Sequence, residues 1–273
     1  MPSELDFGKQ SDANTPPSGR VTVFASPGGT LATKDSDGNI RDYSPFPISE
    51  KSPGPDEDGL IYDSVTDTGY YGVATSEEIC DGPTLAGAVG LSAGTHFNDN
   101  VEWLKFFVGA SANCNFDSIN KILYITKQTI RYGLSWNSIY DAGCVYGVDG
   151  PGPYNSPNGD TNQNTVVTYS GYDFRVKLLT GVNDISSEWN SLIYRVHTDI
   201  PSGQVGDNWA EYDNCDLLVH NDCGDGSYSW CQEESGGERV LRGTCGVADF
   251  RALSAGYTNT CGGWRPCLEL IQS

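Results

Sequence analysis

Chemistry at neutral pH calls for histidine, reactive cysteine or paired carboxylates, and this 273-residue chain has three histidines and nine cysteines. His96, His197 and His220 sit in no G-x-S-x-G, H-E-x-x-H or P-loop context. Cys144 and Cys231 have no histidine at a spacing that would make a nucleophile pair, and no two cysteines form C-x-x-C. Asp222-Cys223-Gly224-Asp225-Gly226, beside His220 and Asn221, offers oxygens at a calcium-like spacing but lacks the closing glutamate of an EF-hand loop. It reads as an acidic turn without metal, as does Asp160–Asn164. No cofactor is expected. Glu188, Glu233 and Glu234 are the carboxylates available to a glycan-acting enzyme, and such an enzyme needs its pair in one cleft. The expectation is a protein that is not an enzyme.

Aromatic residues in polar or glycine-rich loops carry more. Trp209, Tyr212, Tyr228 and Tyr257 lie in such surroundings, and Phe250 and Arg251 fall in the long loop after Gly243. Aromatic faces stack on sugars and proteins at little entropic cost. These six are the candidate binding residues; the alternative is that the rings close a core under long loops. Trp103, Trp136 and Trp189 read as core.

Sixteen basic against 36 acidic side chains give a net charge of −20. That disfavours nucleic acid and anionic membrane surfaces as partners and favours solubility. No window is apolar enough to cross a membrane, and the first residues carry neither the basic nor the apolar region of a signal peptide.

These residues need elements to position them. Residues 1–19 read as an extended polar arm. Val21–Ala25, Leu31–Lys34 and Asn39–Tyr43 read as a three-stranded meander with turns at Pro27-Gly28-Gly29 and Asp37-Gly38. Three short strands bury too little to stand alone, so copies of themselves are the expected neighbours and a homotrimer the expected state. Residues 45–59, rich in proline and acid, read as a linker.

The expected large domain is 60–273. Thr75–Glu78 and Gly82-Pro83-Thr84 are helix starts, and Ser135 caps a short helix through Tyr140. Val101–Phe107 and Lys121–Thr126 read as a hairpin, and Tyr172–Leu178 alternates as a half-buried strand. Trp189, Leu192, Ile193 and Val196 fall on one face of a helix capped by Ser186 or Ser187, with His197 at its C-terminal end and Pro201 as its stop. A strand near Tyr228–Gln232 follows. Arg239–Arg242 and Trp264–Leu270 read as two strands returning to each other around a long loop, with Gly246–Cys261 as its exposed surface and Trp264 and Leu268 beneath.

Two resemblances follow from these blocks. Pro17-Ser18-Gly19, the strand 21–25, Gly29-Thr30-Leu31, Lys34-Asp35 and Asp37-Gly38 resemble the N-terminal adaptor of phage tail fibres and virion appendages. Gly90–Thr95 with Val101–Phe106, Leu123–Lys127 with Ser135–Ile139, Phe174–Gly181 through Ser187–Ile193, and Ser229–Glu233 with Arg239–Gly243 and Gly263–Pro266 together resemble a family of tailed-phage virion structural proteins. The ending, Arg239–Gly243 then Gly263-Trp264-Arg265, is similar to formylglycine-generating-enzyme-like domains of the C-type lectin fold, although Pro266 departs from that pattern.

The resemblances imply an α+β chain: a C-type-lectin-like domain (mixed twisted sheet, two helices, long loops) preceded by an arm and meander at 1–44 and a linker at 45–59. They imply a structural virion protein assembled in the host cytoplasm. Its arm would join other virion proteins of the capsid, neck or tail, and its large domain would serve decoration or adhesion to a host cell-surface glycan or protein. A glycan-acting virion enzyme and an interior cement protein are the alternatives. The oxidase chemistry of formylglycine enzymes is not expected, because the flanks of Cys261 and Cys267 do not match; a disulfide between them, pinning the loop to the last strand, is expected instead.

Overall fold

In a computed structural model the chain divides into two units, Met1–Glu50 and Lys51–Ser273. The structure describes residues 22–25, 31–34, 36 and 40–42 of the first unit, and 52–56, 59–97, 99–114, 120–182, 186–199 and 208–271 of the second. The arm at 1–19, the two meander turns, residues 45–51 of the expected linker and Pro201 lie outside them.

The first unit is the expected meander. β1 (Thr22–Ala25), β2 (Leu31–Lys34) and β3 (Ile40–Asp42) pair antiparallel in sequence order, with Thr22 opposite Lys34 and Ala32 opposite Asp42.

The second unit is mixed and β-rich, built on two sheets. The larger contains β4 (Ile61–Asp63), β5 (Thr68–Ala74), β7 (Trp103–Val108), β8 (Lys121–Thr126), β10 (Val166–Tyr169), β11 (Tyr172–Lys177) and β16 (Cys267–Leu270). Its order is β10-β11-β16-β8-β7-β5-β4, antiparallel throughout. The β7–β8 hairpin is as read, with Leu104 opposite Ile125. Its central strands are buried on both faces. Ile122 and Tyr124 enter one apolar cluster with Trp136, Trp230, Trp264 and Leu268, while Leu123 and Ile125 enter another with Trp189, Leu192, Ile193 and Trp209. Removing a large apolar side chain from water stabilises by about 1.5–3 kcal/mol, so this central layer dominates the unit's stability.

The smaller sheet contains β6 (Thr95–His96), β9 (Arg131–Tyr132), β12 (Tyr228–Ser235), β13 (Glu238–Arg242), β14 (Phe250–Leu253) and β15 (Gly262–Trp264). Its order is β14-β13-β12-β15-β9-β6, and only β12 and β15 run parallel.

The two helices begin where their caps are. Asp81 accepts from the Thr84 amide at 2.6 Å to start α1 (Gly82–Ala88), and Ser135 Oγ accepts from the Ser138 amide at 3.1 Å to start α2 (Trp136–Asp141). Thr75 donates to Glu78 Oε2 through its amide at 2.8 Å and its hydroxyl at 3.1 Å, yet only one turn follows. The extended backbone of Asp81 (φ −81°, ψ 166°) ends it before α1 begins.

Three expectations are corrected. The segment after Ser187 is not one amphipathic α-helix: a π-turn, Trp189–Ile193, tightens into a 3₁₀ turn, Tyr194–Val196. Every residue from Trp189 to Val196 is buried, so there is no solvent face for a regular helix to keep. Ser187 Oγ does accept from the Asn190 amide, at 3.3 Å. Second, Arg239–Arg242 and Trp264–Leu270 do not return to each other. β13 pairs with β12 and β14, and the C-terminal stretch splits into β15 in one sheet and β16 in the other. The crossing is at Arg265-Pro266, where a residue without an amide proton costs no ladder bond. Third, Cys261, in the turn before β15, and Cys267, in β16, are free thiols, and the disulfide joins Cys215 to Cys223.

The expected linker also contributes to the second unit. Tyr124 donates to the Pro53 carbonyl at 2.8 Å and Lys105 donates to the Pro55 carbonyl. Gly54, at φ +78°, lies so close to Ala74 that a side chain there would stand 2.5 Å from its Cβ.

Candidate functional site

The exposed shelf after Gly243 is held by buried arginines. Gly243 (φ +89°) turns the chain out of β13 where the Ser227 carbonyl would stand 2.7 Å from any Cβ. Arg242 reaches back beneath the turn, donating to Asn190 Oδ1 at 3.0 Å, to the Tyr194 hydroxyl and to the Gly181 and Ala248 carbonyls at 3.4 Å. The Trp189 indole donates to the Val247 carbonyl at 2.8 Å. Arg265 ties both sheets to the 217 region, donating to Ser229 Oγ at 2.9 Å, to the Thr126 carbonyl at 3.0 Å, and to the Lys127 and Leu217 carbonyls. Burial lowers its pKa. The π-turn, an element often found at functional sites, therefore braces the base of the shelf.

Above this base, β14 is the edge of its sheet and residues 254–260 are mostly exposed. Arg251 donates to Asp249 Oδ2 at 3.3 Å and lies 3.7 Å from Cys245 Sγ. The hydrogen bond to Asp249 raises its pKa, helped by the charges of Tyr228 and Asp249. Burial raises the Tyr228 phenol, against the opposing pull of Arg251. Tyr257, 40% exposed, accepts from Asn259 Nδ2 at 3.2 Å, and Asn259 in turn accepts from the Gly262 amide at 2.7 Å. The Ala255 carbonyl accepts from the Asn137 amide at 2.9 Å, which fixes the shelf to α2. Tyr228, Arg251 and Tyr257 thus belong to one surface. Phe250 stands in register with Arg242, its ring centroid 5.8 Å from that guanidinium, and is partly covered.

The other two candidates are elsewhere. Trp209 is only 6% exposed: its ring takes the Arg195 guanidinium at 3.8 Å and packs on Tyr70 and Phe106. It is a core residue, because Arg195 is buried and its charge, paired with Asp63 at 2.8 Å, is covered by that ring. Tyr212 is half-buried against Lys127, and its hydroxyl lies 3.2 Å from that of Tyr70. Lys127 also lines a cleft of about 370 Å³, with Glu102, Gln128, Asp213 and Asp216 among others. The acids there are occupied: Glu102 pairs with Lys127 at 3.0 Å, and Asp213 accepts from the Cys215 and Asp216 amides at 2.8 Å each, which lowers its pKa.

No family model and no curated protein matches this chain. Among solved structures, Treponema denticola variable protein 1 aligns over 63% of this chain and 98% of its own at 12% identity, with a TM-score of 0.24. That superposition is too loose to argue from.

His197, Cys144, Cys231 and Glu188 are accounted for by their contacts. The His197 ring accepts from the Asp199 amide through Nδ1 at 2.9 Å and pairs with Asn214 Oδ1 through Nε2 at 3.1 Å. Both ring nitrogens are thus engaged by neighbouring polar groups. Cys144 and Cys231 are buried and each donates to a backbone carbonyl; burial pushes the Cys144 thiol up to about 12 and Cys231 well above its usual range. Glu188 is committed to Lys177 and to the Thr180 amide. Among the described residues no group of three or more His, Cys, Asp or Glu is placed to hold a metal. Asp249 and Asn259 were not singled out by the sequence reading, since polar residues in a loop follow no period.

Proposed function

We propose that this chain is a display protein of a tailed-phage virion. The meander and arm attach it to other virion proteins of the capsid, neck or tail, as three copies, and the two-sheet unit carries the 245–261 shelf outward for decoration or adhesion to a host-surface glycan or protein. In this reading the two-sheet unit is a C-type-lectin-like domain, supported by its antiparallel and mixed sheets, α1, α2 and long loops.

The observation that carries the reading is the contrast between frame and shelf. Arg242, Trp189, Trp264 and Arg265 are at most 1% exposed, whereas Arg251, Ser254, Gly256, Tyr257, Thr258 and Thr260 are exposed on what they hold. Polar and aromatic loops on a rigid frame suit recognition. The resemblances of 17–38 and of the later blocks to virion proteins supply the setting.

The test is a chain lacking residues 1–45, expressed during phage assembly. The reading expects it to fold and be missing from purified particles. Incorporation at the full-length level would overturn the attachment claim.

A further inference from the structure

A second cleft lies away from the shelf, at the far end of β12. It has a volume of about 320 Å³, at the lower end for small-molecule sites, and is lined by Tyr146, Pro153, Gln232, Glu233, Glu234 and Arg239. Neighbours on a strand normally point to opposite faces. Here the register slips between Trp230 and Glu234, and Glu233 and Glu234 both reach the cleft.

The wall is preset. Tyr146 packs edge-on against Trp136 and Tyr140, at 6.0 and 6.4 Å. Gly152, at φ +70°, leaves room for the ring, which would stand 2.3 Å from a Cβ there. The Tyr146 hydroxyl is buried and, among the described residues, has no hydrogen-bond partner. A buried polar group left unpaired costs about 1–3 kcal/mol, so this oxygen favours a ligand that satisfies it.

The charges are also arranged. Arg239 is already engaged: its guanidinium lies 4.3 Å from the Trp136 and Tyr154 ring centroids and donates to Glu234 at 3.2 Å. Gln232 is engaged too, donating to the Leu178 carbonyl at 2.6 Å. Glu233 accepts from the Gly181 amide at 2.8 Å, and Gly181 comes that near because it has no Cβ, which would stand 2.3 Å from Cys231 Sγ. Arg239 is balanced by Glu234, and among the described residues no cationic side chain pairs with Glu233, whose carboxylate is met by backbone amides.

We propose that this cleft binds a protonated primary amine, carried on a small polar ligand such as an amino sugar, with Glu233 and the Tyr146 hydroxyl as its acceptors. An ammonium has three donors and no acceptor, which matches an unpaired phenol oxygen beside a carboxylate. An anion would meet two carboxylates, and a neutral polyol would leave Glu233 held by backbone amides alone.

Isothermal titration calorimetry of the full chain at pH 7 with glucosamine, glucose and glucuronate tests it. Glucosamine is expected to bind at least about tenfold tighter than glucose, and glucuronate to give no binding. Glu233→Gln should lose at least about tenfold for glucosamine, and Tyr146→Phe, which keeps the ring packing, a smaller factor of about three. Equal affinity for glucose and glucosamine, no heat with any probe, or a Tyr146→Phe protein that folds and binds glucosamine unchanged would overturn the proposal.

Discussion

The Arg195 guanidinium lies flat against Trp209, 3.8 Å from the ring centroid, with Asp63 at 2.8 Å from its other side. This pair turns an aromatic residue of a polar loop into part of the core. Trp209→Ala removes a buried ring and uncovers a buried cation, so a loss of about 3–5 kcal/mol is expected in denaturant unfolding. A change within about 0.5 kcal/mol, the level of ordinary surface substitutions, would return Trp209 to the surface.

Lys177 and Glu188 form a buried ion pair, with Glu269 at 3.9 Å from the same ammonium. Lys177→Met leaves Glu188 in an apolar setting and is expected to cost about 3–5 kcal/mol, whereas a Lys177→Met, Glu188→Leu double variant should recover most of that. Burial on its own would lower the lysine pKa, but Glu188, Cys267 and Glu269 outweigh it and raise the value above 10.5. The folded state therefore holds this proton more tightly than the unfolded chain. The contribution is complete below about pH 10.5 and is lost as the pH climbs through the folded-state value. Unfolding midpoints taken between pH 9 and 12 should fall more steeply in the natural chain than in the double variant.

Glu233 has the opposite consequence. Burial raises its pKa above 4.5, ahead of the opposing hydrogen bond from Gly181. The folded state then binds more protons than the unfolded one, so this group's contribution declines as pH rises from about 4.5 through the folded value. Glu233→Gln should flatten that decline in urea unfolding between pH 4 and 7. Parallel curves would place Glu233 in a more solvated setting.

The Cys215–Cys223 bond closes a short loop, with a sequence separation of 8. Loop-closure entropy for such a ring gives about 2–3 kcal/mol. Mild reductant, or Cys215→Ser with Cys223→Ser, should lower stability by up to that amount, while Cys261→Ser should leave it nearly unchanged. Equal effects from Cys261→Ser would point to a different pairing.

Much of this architecture could be read from residues in order. The β7–β8 hairpin followed from two apolar runs, and α1 and α2 from a proline and a serine cap. What could not be read depends on partners distant in sequence. The split of 264–270 into two sheets rests on Arg265 meeting Ser229, Thr126 and Leu217. Trp209 is buried by Arg195, and the cleft at Glu233 exists because β12 slips register, which no local period announces. Exposure at Arg251 and Tyr257 follows from a polar, glycine-containing stretch that offers few apolar residues to bury.

The central claim is that the 245–261 shelf faces outward from an assembled particle. Immunogold labelling of intact particles with an antibody raised against residues 246–260 tests it most directly, with an Arg251→Ala, Tyr257→Ala chain as the specificity control. The account predicts gold on the surface of undisrupted particles carrying the natural chain. Labelling that appears only after the particles are broken open would contradict it and would make this chain an interior component.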